Sequence, residues 1–234
     1  MIVKLLRMTV WALGIVAAFA PYAATQTANS PSKAPSLLST DALELHHVKM
    51  DSVSYRGQRA VRIADGAEGG GDDISRIAIV KGASLQDGSI EVSLSGDTAP
   101  DAPPQLRGFV GIAFRVSDGG SHYECFYLRP KNGRSDDQLQ RNHSTQYISI
   151  PGFPWEKLRT DTPGKYESYV DLVPGAWTKV KIQFAGTNAR LYVNGSDQPA
   201  LIVHDLKQPA QAGAVALWVG PGTIAYFTGL SLGR

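Results

Sequence analysis

The chain has one cysteine, Cys125, among 234 residues. It can therefore form neither an internal disulfide nor a cysteine-built metal site. Cys125 sits in the apolar run YECFYL, which reads as a buried, inert thiol rather than a nucleophile. An excess of charge is also missing. Two of the 23 basic residues, Lys4 and Arg7, and none of the 21 acidic ones fall in the first 24 positions, leaving 21 against 21. A neutral remainder argues against a nucleic-acid or anionic-lipid partner. No apolar run reaches the roughly 20 residues of a membrane-spanning helix. Heptads, internal repeats and helical stripes are absent beyond the leader, because Pro and Gly interrupt every candidate window.

What is present begins with a leader. Lys4 and Arg7 precede the 13-residue apolar run Met8–Ala20, and small residues follow at Ala23 and Ala24. This is the layout of a secretory signal peptide over 1–24, with an uncleaved anchor as the alternative. Export to the periplasm or the extracellular space follows from it. Residues 25–41, which start TQTANSPSKAPS, read as a flexible tether, and 42–234 as one domain.

Within that domain, period-2 alternation recurs between turn residues. Ile90, Val92 and Leu94 oppose Glu91, Ser93 and Ser95, while Val180, Ile182 and Phe184 oppose Lys179, Lys181 and Gln183. Leu191 and Val193 lead into Asn194-Gly195, a tight-turn signal. Further runs lie at 43–48, 60–63, 77–80, 146–150 and 201–203, and the pair 214–219 and 224–232 flanks Gly220-Pro221-Gly222. About a dozen short strands predict an all-β, two-sheet antiparallel jelly-roll sandwich. In 109–116, Val110, Ile112, Phe114 and Val116 share one face, with Gly111, Ala113 and Arg115 on the other. Were this strand to neighbour 122–129, Arg115 and Glu124 would meet on the open face as a charged platform.

Polar residues crowd the stretch after those two strands. Arg115, Arg129, Arg134 and Arg141 offer planar forks of donors suited to a carboxylate, a sulfate or a densely hydroxylated ligand. Ion pairs that tie loops together are the alternative. Asn142 would bind hydroxyls and His143 would serve as a general base. Glu124 and Asp137 are the candidate acid and base for glycoside hydrolysis, which needs two carboxylates across one cleft. The aromatic residues Tyr123, Tyr147, Trp155, Tyr166 and Trp218 are candidates for stacking on sugar rings, whereas Trp177 reads as core. The histidines lack zinc spacing, and no cofactor is implied. Calcium at Asp72-Asp73 or Asp136-Asp137 is the one metal option.

The segments GSIEVSLSG (88–96), GFVGIAFRVSDGGSHYECFYLRP (108–130), GAWTKVKIQFAGTNARLYVNG (175–195) and GAVALWVGPGTIAYFTGLSL (213–232) together resemble the concanavalin A-like lectin/glucanase superfamily. Within it, the likeness is to exported laminin G-like domains and to the 3-keto-disaccharide hydrolase type. The resemblance implies a jelly roll whose concave sheet holds glycans, and it maps onto Arg115, Tyr123 and Glu124. Phe126 and Leu128 stand where that hydrolase type carries polar residues, and the retaining-glucanase pattern Glu-x-Asp-x-x-Glu is absent. Three readings stay open. The first is a module that binds a glycan or small saccharide on the concave sheet and the Arg-rich loop. The second is a glycoside hydrolase or lyase. The third is a structural or protein-interaction domain, which requires Arg129, Arg134 and Arg141 to be internally paired with no open cleft.

Overall fold

A computed structural model describes residues 37–66 and 75–233. The leader, most of the tether and Asp72-Asp73 lie outside the described residues. The strands are β1 (Leu43–His46), β2 (Val48–Tyr55), β3 (Gln58–Asp65), β4 (Ile77–Leu85), β5 (Gly88–Thr98), β6 (Val110–Val116) and β7 (Tyr123–Leu128). They continue as β8 (Thr145–Ile150), β9 (Glu167–Ser168), β10 (Thr178–Ala185), β11 (Asn188–Val193), β12 (Leu201–Val203), β13 (Gly213–Val219) and β14 (Thr223–Gly233). Two seven-stranded antiparallel sheets result. One runs β1-β4-β13-β6-β7-β8-β9 and the other β12-β11-β10-β5-β14-β3-β2. This is the expected two-sheet sandwich.

The predicted alternation sets the interior. Val110, Ile112 and Phe114 of β6 face Ile90, Val92 and Leu94 of β5 and Val180, Ile182 and Phe184 of β10, all buried. Phe114 and Phe184 meet across the two sheets with ring centroids 4.5 Å apart. The turn at Asn194-Gly195 forms with φ of 53° and 74°, the left-handed pair such a turn requires. Gly220-Pro221-Gly222 carries the chain from one sheet to the other, since β13 and β14 belong to different sheets.

Four features depart from expectation, the two-residue strand β9 being one. β2 was hidden by its polar alternation at a sheet edge, where half of its residues face water. The other two are short helices, α1 (Gln138–Asn142) and α2 (Trp155–Asp161). Neither shows a stripe, because α1 buries no residue and α2 buries only Leu158. Local chemistry starts each one instead: Asp137 caps α1 by accepting from the amides of Leu139 (2.8 Å) and Gln140 (3.3 Å), and Pro154 precedes α2.

Candidate functional site

Strands β6 and β7 at the centre of the first sheet are buried along their whole length, and the sheet's face turned away from the second sheet carries an aromatic cleft. Glycine makes this possible. Trp218 on β13, Gly111 on β6 and Tyr127 on β7 lie in one cross-strand row. A Cβ on Gly111 would fall 2.6 Å from the Cβ of Tyr127. With no side chain between them, Trp218 and Tyr127 stack over the gap at 4.7 Å between ring centroids. Phe109 meets the edge of Tyr127 at 6.1 Å. The Tyr123 hydroxyl accepts from Trp218 Nε1 (3.4 Å) and from Ser75 Oγ (3.3 Å). Burial raises the Tyr123 phenol above its ordinary value, so it stays neutral near pH 7.

The walls come from two connections. Ile148 and Ile150 of β8 lead into Pro151, Gly152 and Pro154, and then into Trp155 and Glu156 at the start of α2; Pro221 closes the far side. The enclosed space is about 480 Å³. Among these lining residues the one carboxylate is Glu156, which is exposed, and there is no cation.

Behind Trp155 lies a charged cluster. Arg129 extends the β7 alternation onto the same outer face, and the Arg159 guanidinium comes from α2. Their carbons sit 5.7 Å and 4.5 Å from the Trp155 ring centroid. Glu167 on β9 joins them. It accepts from Arg129 Nη1 at 3.1 Å and from Arg159 Nε at 3.0 Å, with a further short contact from Arg159 Nη2. Arg129 also donates to the Tyr127 hydroxyl (2.8 Å), Gln146 Oε1 (3.0 Å) and the His143 carbonyl (3.1 Å). Burial alone would raise the Glu167 carboxyl, but the Arg159 hydrogen bonds and both guanidinium charges outweigh it and hold it below the usual range. His143 Nε2 lies 3.5 Å from Glu167, and burial lowers its imidazole despite that neighbour.

Several sequence-predicted residues occupy other places. Glu124 shares the interior face with Phe126 and Leu128 and has no exposed surface. Its carboxylate accepts from the Tyr147 hydroxyl (2.5 Å) and the Gln208 amide (2.8 Å), while burial raises its pKa. The expectation that Glu124 faces a cleft is thereby corrected, and so is the stacking role for Tyr147, which is interior and also accepts from the Lys207 amide. Strands β6 and β7 are indeed neighbours, yet Arg115 leaves the open face. Its φ of 52° turns the side chain toward the Gln86 carbonyl (2.9 Å), Asp87 Oδ1 (3.0 Å) and the Gly186 carbonyl (2.8 Å). There it locks two turns together beside Phe184.

The remaining polar candidates are committed elsewhere. Asp137 is a helix cap. Arg134 forms a bidentate pair with Asp171 at 2.7 and 2.8 Å. Arg141 donates to the Tyr169 hydroxyl (2.9 Å), and Asn142 accepts from Gln138 (2.7 Å). Asn142 and His143 line a separate groove with Arg159, Glu167 and Tyr169. Tyr166 is buried, and its hydroxyl donates to Asp205 (2.6 Å). Trp177, expected in the core, is half-buried and meets the edge of Tyr55 at 5.6 Å. No group of three metal-ligating side chains forms among the described residues. Of the predicted set, the structure brings together Tyr123, Trp155 and Trp218, with Arg129 beneath. Arg129, Arg134 and Arg141 are all internally paired, yet a cleft stands open beside them.

Sequence reasoning missed Phe109, Tyr127, Glu156 and Arg159. A signal for Tyr127 was available in Gly111, a glycine amid bulky strand residues, which marks a place where large neighbours close over the backbone.

No protein-family model matches the chain, and no curated protein does. Solved structures do. Carbohydrate binding module CBM66 from Bacillus subtilis superposes with a TM-score of 0.52 at 11% identity, covering 82% of this chain and 98% of that one. A Bacillus licheniformis β-glucanase gives 0.48 at 12% identity, covering 86% and 96%. A glycosyl hydrolase-like protein from Parabacteroides distasonis gives 0.46 at 9% identity, covering 82% and 88%. The fold is a two-sheet antiparallel jelly-roll sandwich, an architecture shared with the carbohydrate binding module. At such identities the likeness is one of architecture, which hosts many functions.

Proposed function

We propose that the protein is an exported carbohydrate-binding module that holds a glycan in the aromatic cleft of the first sheet. The observation that carries this reading is the stack of Trp218 on Tyr127 above Gly111, with Trp155 forming the opposite wall. Flat rings match the apolar faces of sugar rings and lose little entropy on binding; Trp218 and Tyr127 are held nearly buried in the sheet with one edge on the cleft, and Trp155 is half-buried on α2. Trp155 has an additional device. Two guanidiniums lie against its ring and are themselves fixed by Glu167, so the indole is oriented before any ligand arrives. The architectural likeness to a carbohydrate-binding module supports the same reading. The leader supports a place in the periplasm or outside the cell.

Binding is favoured over hydrolysis by the position of the carboxylates. Hydrolysis by the usual route needs two of them about 5–10 Å apart across the scissile bond. Here Glu124 is turned inward, Asp137 caps a helix, Glu167 is held by two arginines, and the lining contributes Glu156 alone.

The test is titration calorimetry of the full-length protein against an oligosaccharide panel, with chromatography of every mixture. Trp155→Ala should weaken binding by about 30-fold or more, because a central aromatic anchor is worth about 2 kcal/mol or more. Glu124→Gln should bind as the wild type does, and every glycan should emerge intact. Turnover by the wild type that Glu124→Gln abolishes would overturn the binding-module reading.

A further inference from the structure

Resting on that binding role, we propose that the cleft accepts uncharged saccharides and discriminates against acidic ones, with Glu156 setting the preference. The arginine-rich sequence after β7 points the other way, toward a carboxylate or sulfate ligand, but the geometry removes every arginine from the cleft. Arg115 binds two carbonyls and Asp87 near the interior. Arg129 and Arg159 lie behind Trp155 and share Glu167. Arg134 is paired with Asp171 and Arg141 with Tyr169. What lines the cleft instead is aromatic rings, isoleucines, prolines and one acid.

Two consequences follow for an incoming anion. It would give up hydrating water against an apolar wall with no cation to replace it, which is costly for any ion. It would also approach Glu156, an exposed carboxylate on the lining that has neither a hydrogen bond nor an ion pair to a described residue. Two like charges about 6 Å apart, in surroundings between protein surface and bulk water, weaken binding by about 3- to 100-fold. A neutral sugar meets neither penalty. Its hydroxyls can donate to the Glu156 carboxylate in charge-assisted hydrogen bonds and accept from the indole N–H of Trp155, which has no partner among the described residues. One residue at the lip thus both rewards hydroxyls and repels carboxylates.

The experiment uses uronic-acid oligosaccharides of several linkages, each beside its carboxyl-reduced, neutral counterpart. All are titrated into full-length wild type, Glu156→Gln and Glu156→Lys. Glu156 is exposed, so the variants should keep the wild-type thermal midpoint. Expected is a neutral form that binds at least about tenfold more tightly than its acidic counterpart in the wild type. Glu156→Gln should narrow that gap, and Glu156→Lys should close or reverse it. An acidic form that binds the wild type as tightly as its reduced counterpart overturns the proposal, as does a gap left unchanged by Glu156→Lys. If no sugar binds, charged or neutral, the carbohydrate role itself falls and this preference with it.

Discussion

Replacing Glu167 by alanine should destabilise the protein far more than replacing either arginine's exposed contacts would suggest. The side chain of Glu167 is 2% exposed and that of Arg129 is 5% exposed, so neither charge is solvated. Arg159 is 32% exposed and can turn to water if released. Removing the carboxylate therefore strands one buried cation, at a cost of about 3–5 kcal/mol. Arg129 keeps three neutral acceptors, Tyr127, Gln146 and the His143 carbonyl, which places the value toward the lower end. Arg159→Ala, by contrast, breaks a half-exposed pair and should cost about 0.2–1 kcal/mol, plus its packing on Trp155. For a domain of this size, each kcal/mol lowers the thermal midpoint by about 2–4 °C. Glu167→Ala should then melt about 6–20 °C below the wild type. The double variant Glu167→Ala/Arg129→Met should recover part of that loss, because no charge is left buried. Thermal and urea unfolding followed by circular dichroism measure all four proteins. Equal losses in Glu167→Ala and Arg159→Ala would refute the claim that a buried cation is being neutralised. The same carboxylate sets an acid limit. Its folded-state pKa is depressed, so its contribution is complete above the ordinary carboxylate range and is lost as pH falls through the folded value.

Glu124 and His143 should give the protein opposing pH responses in the range between the ordinary carboxylate and imidazole values. The raised Glu124 value favours the folded state in acid and loses that contribution as pH rises through it, whereas the lowered His143 value favours the folded state above about 6.5 and loses it on acidification. Urea midpoints across this range should accordingly fall on acidification in Glu124→Gln and rise in His143→Asn; parallel slopes would sink the assignment. Trp218→Ala should cost about 3–5 kcal/mol, read by urea unfolding, because a nearly buried indole and its stack on Tyr127 are lost together. Gly111→Ala should cost about 1–3 kcal/mol by forcing β6 and β7 apart, and should weaken sugar binding with it. Near-ultraviolet circular dichroism of the Trp218–Tyr127 pair would register that displacement.

The strands were legible because alternation is a local property, but the side each alternation presents to water is not. In β10, Lys179, Lys181 and Gln183 mark the wet face and leave no ambiguity. In β7 every residue is buried, so chemistry alone does not say which set points inward. Glu124 looks like the residue that should face a cleft, yet the cross-strand partner Phe114, which reaches the other sheet, takes it inside. Inside, its oxygens are satisfied because Tyr147 and Gln208 supply donors across long sequence separations, and such pairings leave no mark within a single strand. Arg115 failed differently: a single positive φ at the end of β6 undoes the parity that the rest of the strand obeys. The arginines after β7 were read as ligand contacts because their carboxylate partners, Glu167 and Asp171, lie more than 35 residues away in the chain. The aromatic cleft could have been inferred from its smallest member. A glycine between positions destined for Trp and Tyr is destabilising in a strand unless something large closes over it, and on this sheet what closes over Gly111 is the stacked pair of Trp218 and Tyr127 that lines the cleft.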